Sequence, residues 1–141
     1  MKNFKPAFTM IELVFVIVVL GILAAVAVPR FAATRVDAQI SKGAADVASI
    51  RSAIVSERQS RLIAGDTAWI TKANLDTTDG LFGGVLMYPL PNVAKDGSWS
   101  ATAGSGTYFY RAGGVSTEFT YDEDDGTFTC TAGNAYCDQL Q

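Results

Sequence analysis

The chain has 141 residues, enough for one compact domain, with no histidine, two cysteines and a formal net charge of −3 at pH 7. The missing histidine removes the commonest general base, and two cysteines cannot complete a tetrahedral zinc site, so composition argues against enzymatic chemistry. Hydrophobic residues make up 49% of the chain and crowd into its first 30 positions, while charge divides along its length. Residues 30–62 hold six basic residues against three acidic ones, and from Asp66 onward three basic residues face ten acidic ones. A basic rod and an acidic head suit packing of head against rod in a neighbouring copy; solvated surface charge is the simpler explanation.

Lys2 and Lys5 precede an apolar run over residues 8–28 in which only Thr9 and Glu12 are polar. As a helix its 21 residues span about 32 Å, enough to cross a bilayer core. The lysines before it and the acidic region after it put Met1 in the cytoplasm and the rest of the chain on the far side. One reading is a secretory signal, with apolar residues 13–24 and a small-x-small site at Ala25-Val26-Ala27. Against it, Glu12 interrupts the apolar region and Pro29 lies two residues beyond the cut. A plain anchor leaves Glu12 unexplained, because a carboxylate deep in lipid costs on the order of 2.5–3.5 kcal/mol and usually marks function.

The run Lys5-Pro6-Ala7-Phe8-Thr9-Met10-Ile11-Glu12, followed by a long apolar helix with Gly21 and Pro29, resembles the leader of type IV pilins and of the pseudopilins of type II secretion. In that family a prepilin peptidase cuts before a Phe, the new amine is methylated, and a Glu is the fifth mature residue. The resemblance therefore implies processing between Ala7 and Phe8. Glu12 is then the fifth mature residue, Gly21 the fourteenth and Pro29 the twenty-second, as in the family. Ala7 departs from the family's usual Gly but stays small, so processing is expected, at a slower rate. Phe8, Glu12, Gly21 and Pro29 are the implied filament-assembly residues. A cation held near Glu12 offsets the carboxylate's desolvation cost, and the new amine suits the Glu12 of a neighbouring copy offset along the axis better than that of its own helix. A Glu near the membrane edge, reaching water or facing its own helix N-terminus, is the alternative. Pro29 removes an amide donor and Gly21 costs about 1 kcal/mol relative to Ala, so a kink or local melting is expected between them.

Beyond Pro29, Val36, Ile40, Ala44, Val47, Ile50 and Ile54 follow one another at steps of three or four and draw one apolar stripe down a helix. That stripe is expected to pack on the chain's own sheet. The charges of residues 50–62 fit an exposed flank, with no nucleic-acid motif among them. The helix ends near Ala64-Gly65-Asp66, and residues 69–75 suit a short helical turn. Residues 81–91 are apolar but broken by Gly83-Gly84, Pro89 and Pro91, and read as a packed loop covering one end of the core. Three strands follow, residues 107–112, 116–121 and 127–131, separated by Gly113-Gly114 and an acidic turn, as in an antiparallel meander. Which of Tyr108, Phe109 and Tyr110 faces inward is ambiguous, since all three are aromatic.

The acidic turn, residues 121–128, offers carboxylates that suit calcium, and some pseudopilins bind calcium near the C-terminus. Its spacing is not that of an EF-hand, and a solvated hairpin turn with Asp125-Gly126 at its tip accounts for it, so no metal site is assigned. Cys130 and Cys137 enclose a short loop. Outside the cytoplasm the pair is expected to oxidise, stapling the tail to the last strand for about 2–3 kcal/mol; two free thiols are the alternative. Many type IV pilins carry a C-terminal disulfide, whereas major pseudopilins usually do not.

The expected fold is α+β: a pilin fold with a long N-terminal α-helix, membrane-spanning in its outer half, packed on a small antiparallel β-sheet. The expected organisation is a leader at 1–7, a transmembrane and filament-core helix at 8–29, an amphipathic helix at 30–64 and a globular head at 65–141. The resemblance implies a structural subunit of a type IV pilus or type II secretion pseudopilus, without cofactor. Its implied partners are copies of itself, minor pilins, the prepilin peptidase, an inner-membrane assembly platform and, before assembly, lipid. The head is expected in the periplasm of a bacterium and then in a periplasmic or cell-surface filament. The rival reading is a secreted or membrane-anchored extracytoplasmic binding module with a signal-like N-terminus.

Overall fold

The computed structural model describes residues 8–141, and for residues 28–32 the backbone alone. In chain order it forms α1 (Met10–Ile63), α2 (Lys72–Leu75), β1 (Ser98–Ala101), β2 (Thr107–Ala112), β3 (Val115–Tyr121), β4 (Phe128–Cys130) and α3 (Cys137–Leu140). Two compact units divide the chain, Met1–Arg35 and Val36–Gln141.

In the first unit, Met10–Ala27 has a mean hydropathy of 2.9, and among the described residues of that unit nothing buries it. The helix runs unbroken through Gly21 and the backbone of Pro29, so the expected local melting does not occur here. Proline deletes one hydrogen bond and glycine weakens one position, whereas propagation adds a bond for every residue on either side. A Cβ placed on Gly21 meets nothing within 4 Å, so the chain's own packing does not demand a glycine there.

In the second unit the apolar stripe of α1 closes against the sheet. Ile40, Val47, Ile50 and Ile54 are buried, and Val36 packs at the edge of the same core. The sheet is an antiparallel meander in the order β1-β2-β3-β4. Its register stacks Trp99 opposite Tyr110, Tyr108 opposite Phe119 and Tyr121 opposite Phe128, all on the face toward α1. Tyr108 and Tyr110 turn inward and Phe109 outward because each buried phenol finds an acceptor. The Tyr110 hydroxyl donates to the Gln39 carbonyl at 2.5 Å, Tyr121 to the Ile70 carbonyl at 2.8 Å, and Tyr108 to the Asp76 carboxylate at 3.1 Å. Trp99 Nε1 donates to Asp46 Oδ2 at 3.1 Å, and the same oxygen accepts from Lys42 Nζ at 2.8 Å, which ties helix to sheet.

The structure corrects three expectations. A fourth strand, β1, precedes the three expected ones, and a four-residue helix, α3, ends the chain with Leu140 fully buried. The apolar loop covers the core only in part: Leu81 and Phe82 are buried, but Met87 and Tyr88 are 87% and 79% exposed. Among the described residues, four of the rod's cations are engaged within the chain. Lys42 pairs with Asp46, Arg61 with Glu57 and Asp66, Arg51 donates to the Phe128 carbonyl, and Arg58 lies over the Trp69 ring. These pairs reduce what the rod can offer a neighbouring acidic head.

Burial lifts Tyr110 to about 12, with the Asp46 carboxylate adding to the effect, and lifts Tyr121 to about 12, with Glu123 adding. Raised phenol pKa values favour the folded state below the unfolded value near 10, and that contribution is lost as pH rises through 12. In an alkaline titration the head should therefore unfold cooperatively above pH ~10. In a chain carrying Tyr88→Phe and Tyr136→Phe, which keeps only the buried Tyr108, Tyr110 and Tyr121, phenolate absorbance should rise together with the loss of circular dichroism; phenolate forming there while the dichroism stays intact would contradict the burial argument.

Candidate functional site

Glu12 lies in the first turn of α1, and its environment is built by Thr9, the residue just before the helix. Thr9 precedes the first helical residue, Met10, and its carbonyl accepts the first helical hydrogen bond, from Leu13 N at 3.2 Å. The Glu12 amide donates to Thr9 Oγ1 at 3.3 Å, while Glu12 Oε2 accepts from the Thr9 amide at 3.0 Å and from the Thr9 hydroxyl at 2.9 Å. This is a reciprocal capping box, in which Thr and Glu three residues apart satisfy each other's backbone donors. The carboxylate also lies where the positive end of the helix dipole favours it. Both bonds fall on Oε2, which leaves Oε1 for a further donor.

Around this polar knot the helix is apolar and bare. Phe8 is 82% exposed and lies just ahead of the helix. Ala7, the other residue of the expected cut, lies outside the described residues, as do the leader lysines and the side chain of Pro29. Gly21 sits mid-helix, two and a half turns from Glu12, so the expected assembly residues are strung along one rod and do not converge on a pocket.

Cys130 at the end of β4 and Cys137 at the start of α3 form a disulfide with a Cα–Cα separation of 5.7 Å. The acidic turn spends its carboxylates locally. Asp122 Oδ1 accepts from the Asp124 amide and Asp125 Oδ1 from the Thr127 amide, both at 2.9 Å, while Glu123 Oε2 accepts from the Lys72 amide at 2.9 Å. The bonds from Thr127 hold the exposed Asp125 carboxyl below its ordinary value. Among the described residues no three His, Cys, Asp or Glu side chains are grouped to hold a metal.

Residues 3–28 match the family described as the prokaryotic N-terminal methylation motif. Over 92% of its length the chain is also 28% identical to 90% of the type IV major fimbrial protein FimA of Dichelobacter nodosus. Over most of its length the chain thus resembles a type IV fimbrial protein. No solved structure matches the chain. The methylation motif stops at residue 28, whereas the FimA likeness, spanning 92% of the chain, extends well into the head.

Sequence reasoning singles out Glu12 but passes over Thr9. The signal was present as Thr-x-x-Glu ahead of an apolar helix, a pattern that reads as a helix start once the carboxylate is weighed against the backbone as well as against lipid.

Proposed function

We propose that this chain is the polymerising subunit of a type IV pilus, made with a leader at residues 1–7 that a prepilin peptidase removes between Ala7 and Phe8. The observation that carries the reading is Glu12, an acid at the head of an apolar helix with no cover, holding one oxygen in its capping box and offering the other. Before assembly Met10–Ala27 sits in the inner membrane with the head in the periplasm. The capping box lowers the cost of the carboxylate there by giving it two donors. Cleavage leaves an amine on Phe8, and in the filament that amine from a neighbouring copy pairs with Glu12 and sets the axial register. Gly21 and Pro29 mark the part of the rod where helix is easiest to unwind during that step. Assembly also requires an inner-membrane platform, with minor pilins as further partners.

A pilus is favoured over a secretion pseudopilus by the disulfide at the end of the head and by a likeness to a major fimbrial protein that spans nearly the whole chain. Intact-mass measurement of the exported protein tests the processing. The expected mass is that of a chain beginning at Phe8 with one added methyl; a chain beginning near Val28 would replace the subunit reading with that of a secreted binding module.

A further inference from the structure

We propose that the side chain of Asn92 closes the outer edge of the sheet and so keeps a second copy of this chain from pairing strand to strand with β1. β1 is the first strand of the sheet, paired with β2 on one side and meeting a single parallel bridge, Asn92 to Trp99, on the other. An outer strand of this kind turns a row of backbone groups away from the sheet, and such a row is a template for another strand. Here the row is filled. Asn92 Oδ1 accepts from the Ala101 amide at 3.1 Å, and Asn92 Nδ2 donates to the Ala101 carbonyl at 2.9 Å. Two residues back along β1, the Trp99 carbonyl accepts from the Val93 amide at 2.9 Å. A carboxamide carries a donor and an acceptor in one plane, the same pair that a neighbouring strand would present to Ala101.

The backbone that carries Asn92 does not become a new edge in its turn. Pro89 and Pro91 have no amide proton, and the Leu90 and Val93 amides are spent on the Leu81 and Trp99 carbonyls. Residues 89–93 thus form a strap that completes β1 and gives a further strand little to hold. On the opposite side of the sheet β4 is three residues long, and Arg51 Nε of α1 donates to its Phe128 carbonyl at 2.9 Å. Both outer strands are therefore met by side chains from outside the sheet.

The partner kept away is a second copy. Ala101 without Asn92 offers an amide and a carbonyl side by side, and an antiparallel hydrogen-bonded pair exchanges both bonds between two such residues. Two β1 strands can meet in this way, Ala101 against Ala101 across a two-fold axis, and the contact needs no other protein. Ser98, Ser100 and Thr102 are uncharged, so β1 itself holds no charge that would force two copies apart. Chains anchored by Met10–Ala27 in one membrane meet head beside head, where an open edge pairs most readily.

The test compares the full chain with Asn92→Ala in detergent. At low protein concentration the Ala101 amide of Asn92→Ala should exchange its hydrogen about tenfold faster, roughly the worth of one net hydrogen bond, while the amides of β3 keep their protection. Both chains are then made with a benzophenone-bearing amino acid in place of Ser100, which lies opposite the outward Phe109. Irradiation should link Asn92→Ala chains to one another within residues 98–102, increasingly as concentration rises, and should give no such link in the parent chain. Asn92→Asp keeps an acceptor for the Ala101 amide and sets a charge on the edge, so its amide should stay protected and its chains unlinked. An unchanged Ala101 amide in Asn92→Ala, or a freed amide with no more linking than in the parent, would overturn the closure of the edge by Asn92. Loss of β3 protection in Asn92→Ala would overturn it too, by making the bond a requirement of the fold. None of these results bears on the filament reading, which the mass of the processed chain decides.

Discussion

In cells making both forms, Glu12→Gln subunits should be depleted from filaments at least about a hundredfold relative to the normal subunit, and Glu12→Ala by at least as much. The estimate follows from breaking a buried charge pair, which costs about 3–5 kcal/mol when one partner is left behind, with each 1.4 kcal/mol a factor of about ten. The pair of substitutions separates two jobs of the same side chain. Glutamine at this position still serves a capping box, so the reciprocal bonds with Thr9 persist and the start of α1 is retained. Alanine removes both cap and charge. Membrane insertion should survive or improve in both, because an ionised group has been taken out of the apolar segment. The measurement is the ratio of the two forms in sheared filaments against their ratio in the membrane. Normal entry of Glu12→Gln with loss of Glu12→Ala would assign Glu12 to helix capping alone and remove the docking role.

The apolar stripe of α1 is legible in the sequence because a helix imposes one period on residues that share a face. Ile40, Val47, Ile50 and Ile54 keep that period and end in the core, with Val36 at its edge, while Gly43 rather than Ala44 takes the buried position between Ile40 and Val47. Strands β2 to β4 are legible because stretches rich in Tyr, Phe and Thr run between turn signals, although the three aromatics in a row in β2 leave its inward face open. β1 is not, since its four residues, Ser98-Trp99-Ser100-Ala101, hold a single large apolar side chain. What fixes Trp99 inward is Asp46, 53 positions earlier, and no local pattern encodes that bond. The same limit hid α3, whose four residues become a helix only where Leu140 finds its place against α1 and Tyr110. Met87 and Tyr88 mislead in the opposite sense. An apolar run normally signals burial, yet the turn at Phe82, with its φ of 59°, and the two prolines carry these two side chains into solvent. At the N-terminus the carboxylate was conspicuous and its cap was not, because lipid and backbone make separate demands on one residue.

Gly43 is the glycine that stands in the apolar half of the core-facing helix, where helix propensity alone would favour alanine by about 1 kcal/mol. The structure gives the reason for it. A Cβ there would lie 2.5 Å from Tyr110 Cε1 and 2.6 Å from Leu140 Cδ2, well inside contact distance. The Tyr110 ring has little freedom to retreat, because its hydroxyl is bonded to the Gln39 carbonyl one turn earlier and its face meets Trp99 at 5.0 Å. Leu140 lies three residues after Cys137, so the disulfide anchors the tail that carries it. Overpacking a rigid site costs about 1–3 kcal/mol, and two contacts under 3.0 Å with both partners pinned put Gly43→Ala at the upper end; less the gain in propensity, a net loss of about 2 kcal/mol is expected. For a head of this size that is a fall of roughly 10 °C in the thermal midpoint of the full chain in detergent, followed by circular dichroism. The loss should shrink in the double variant Gly43→Ala with Leu140→Ala, measured against Leu140→Ala alone, because removing the leucine opens the space the methyl needs. A Gly43→Ala chain as stable as the original would show that α1 does not pack this closely on the sheet and tail, and equal losses in both backgrounds would place the clash on Tyr110 alone.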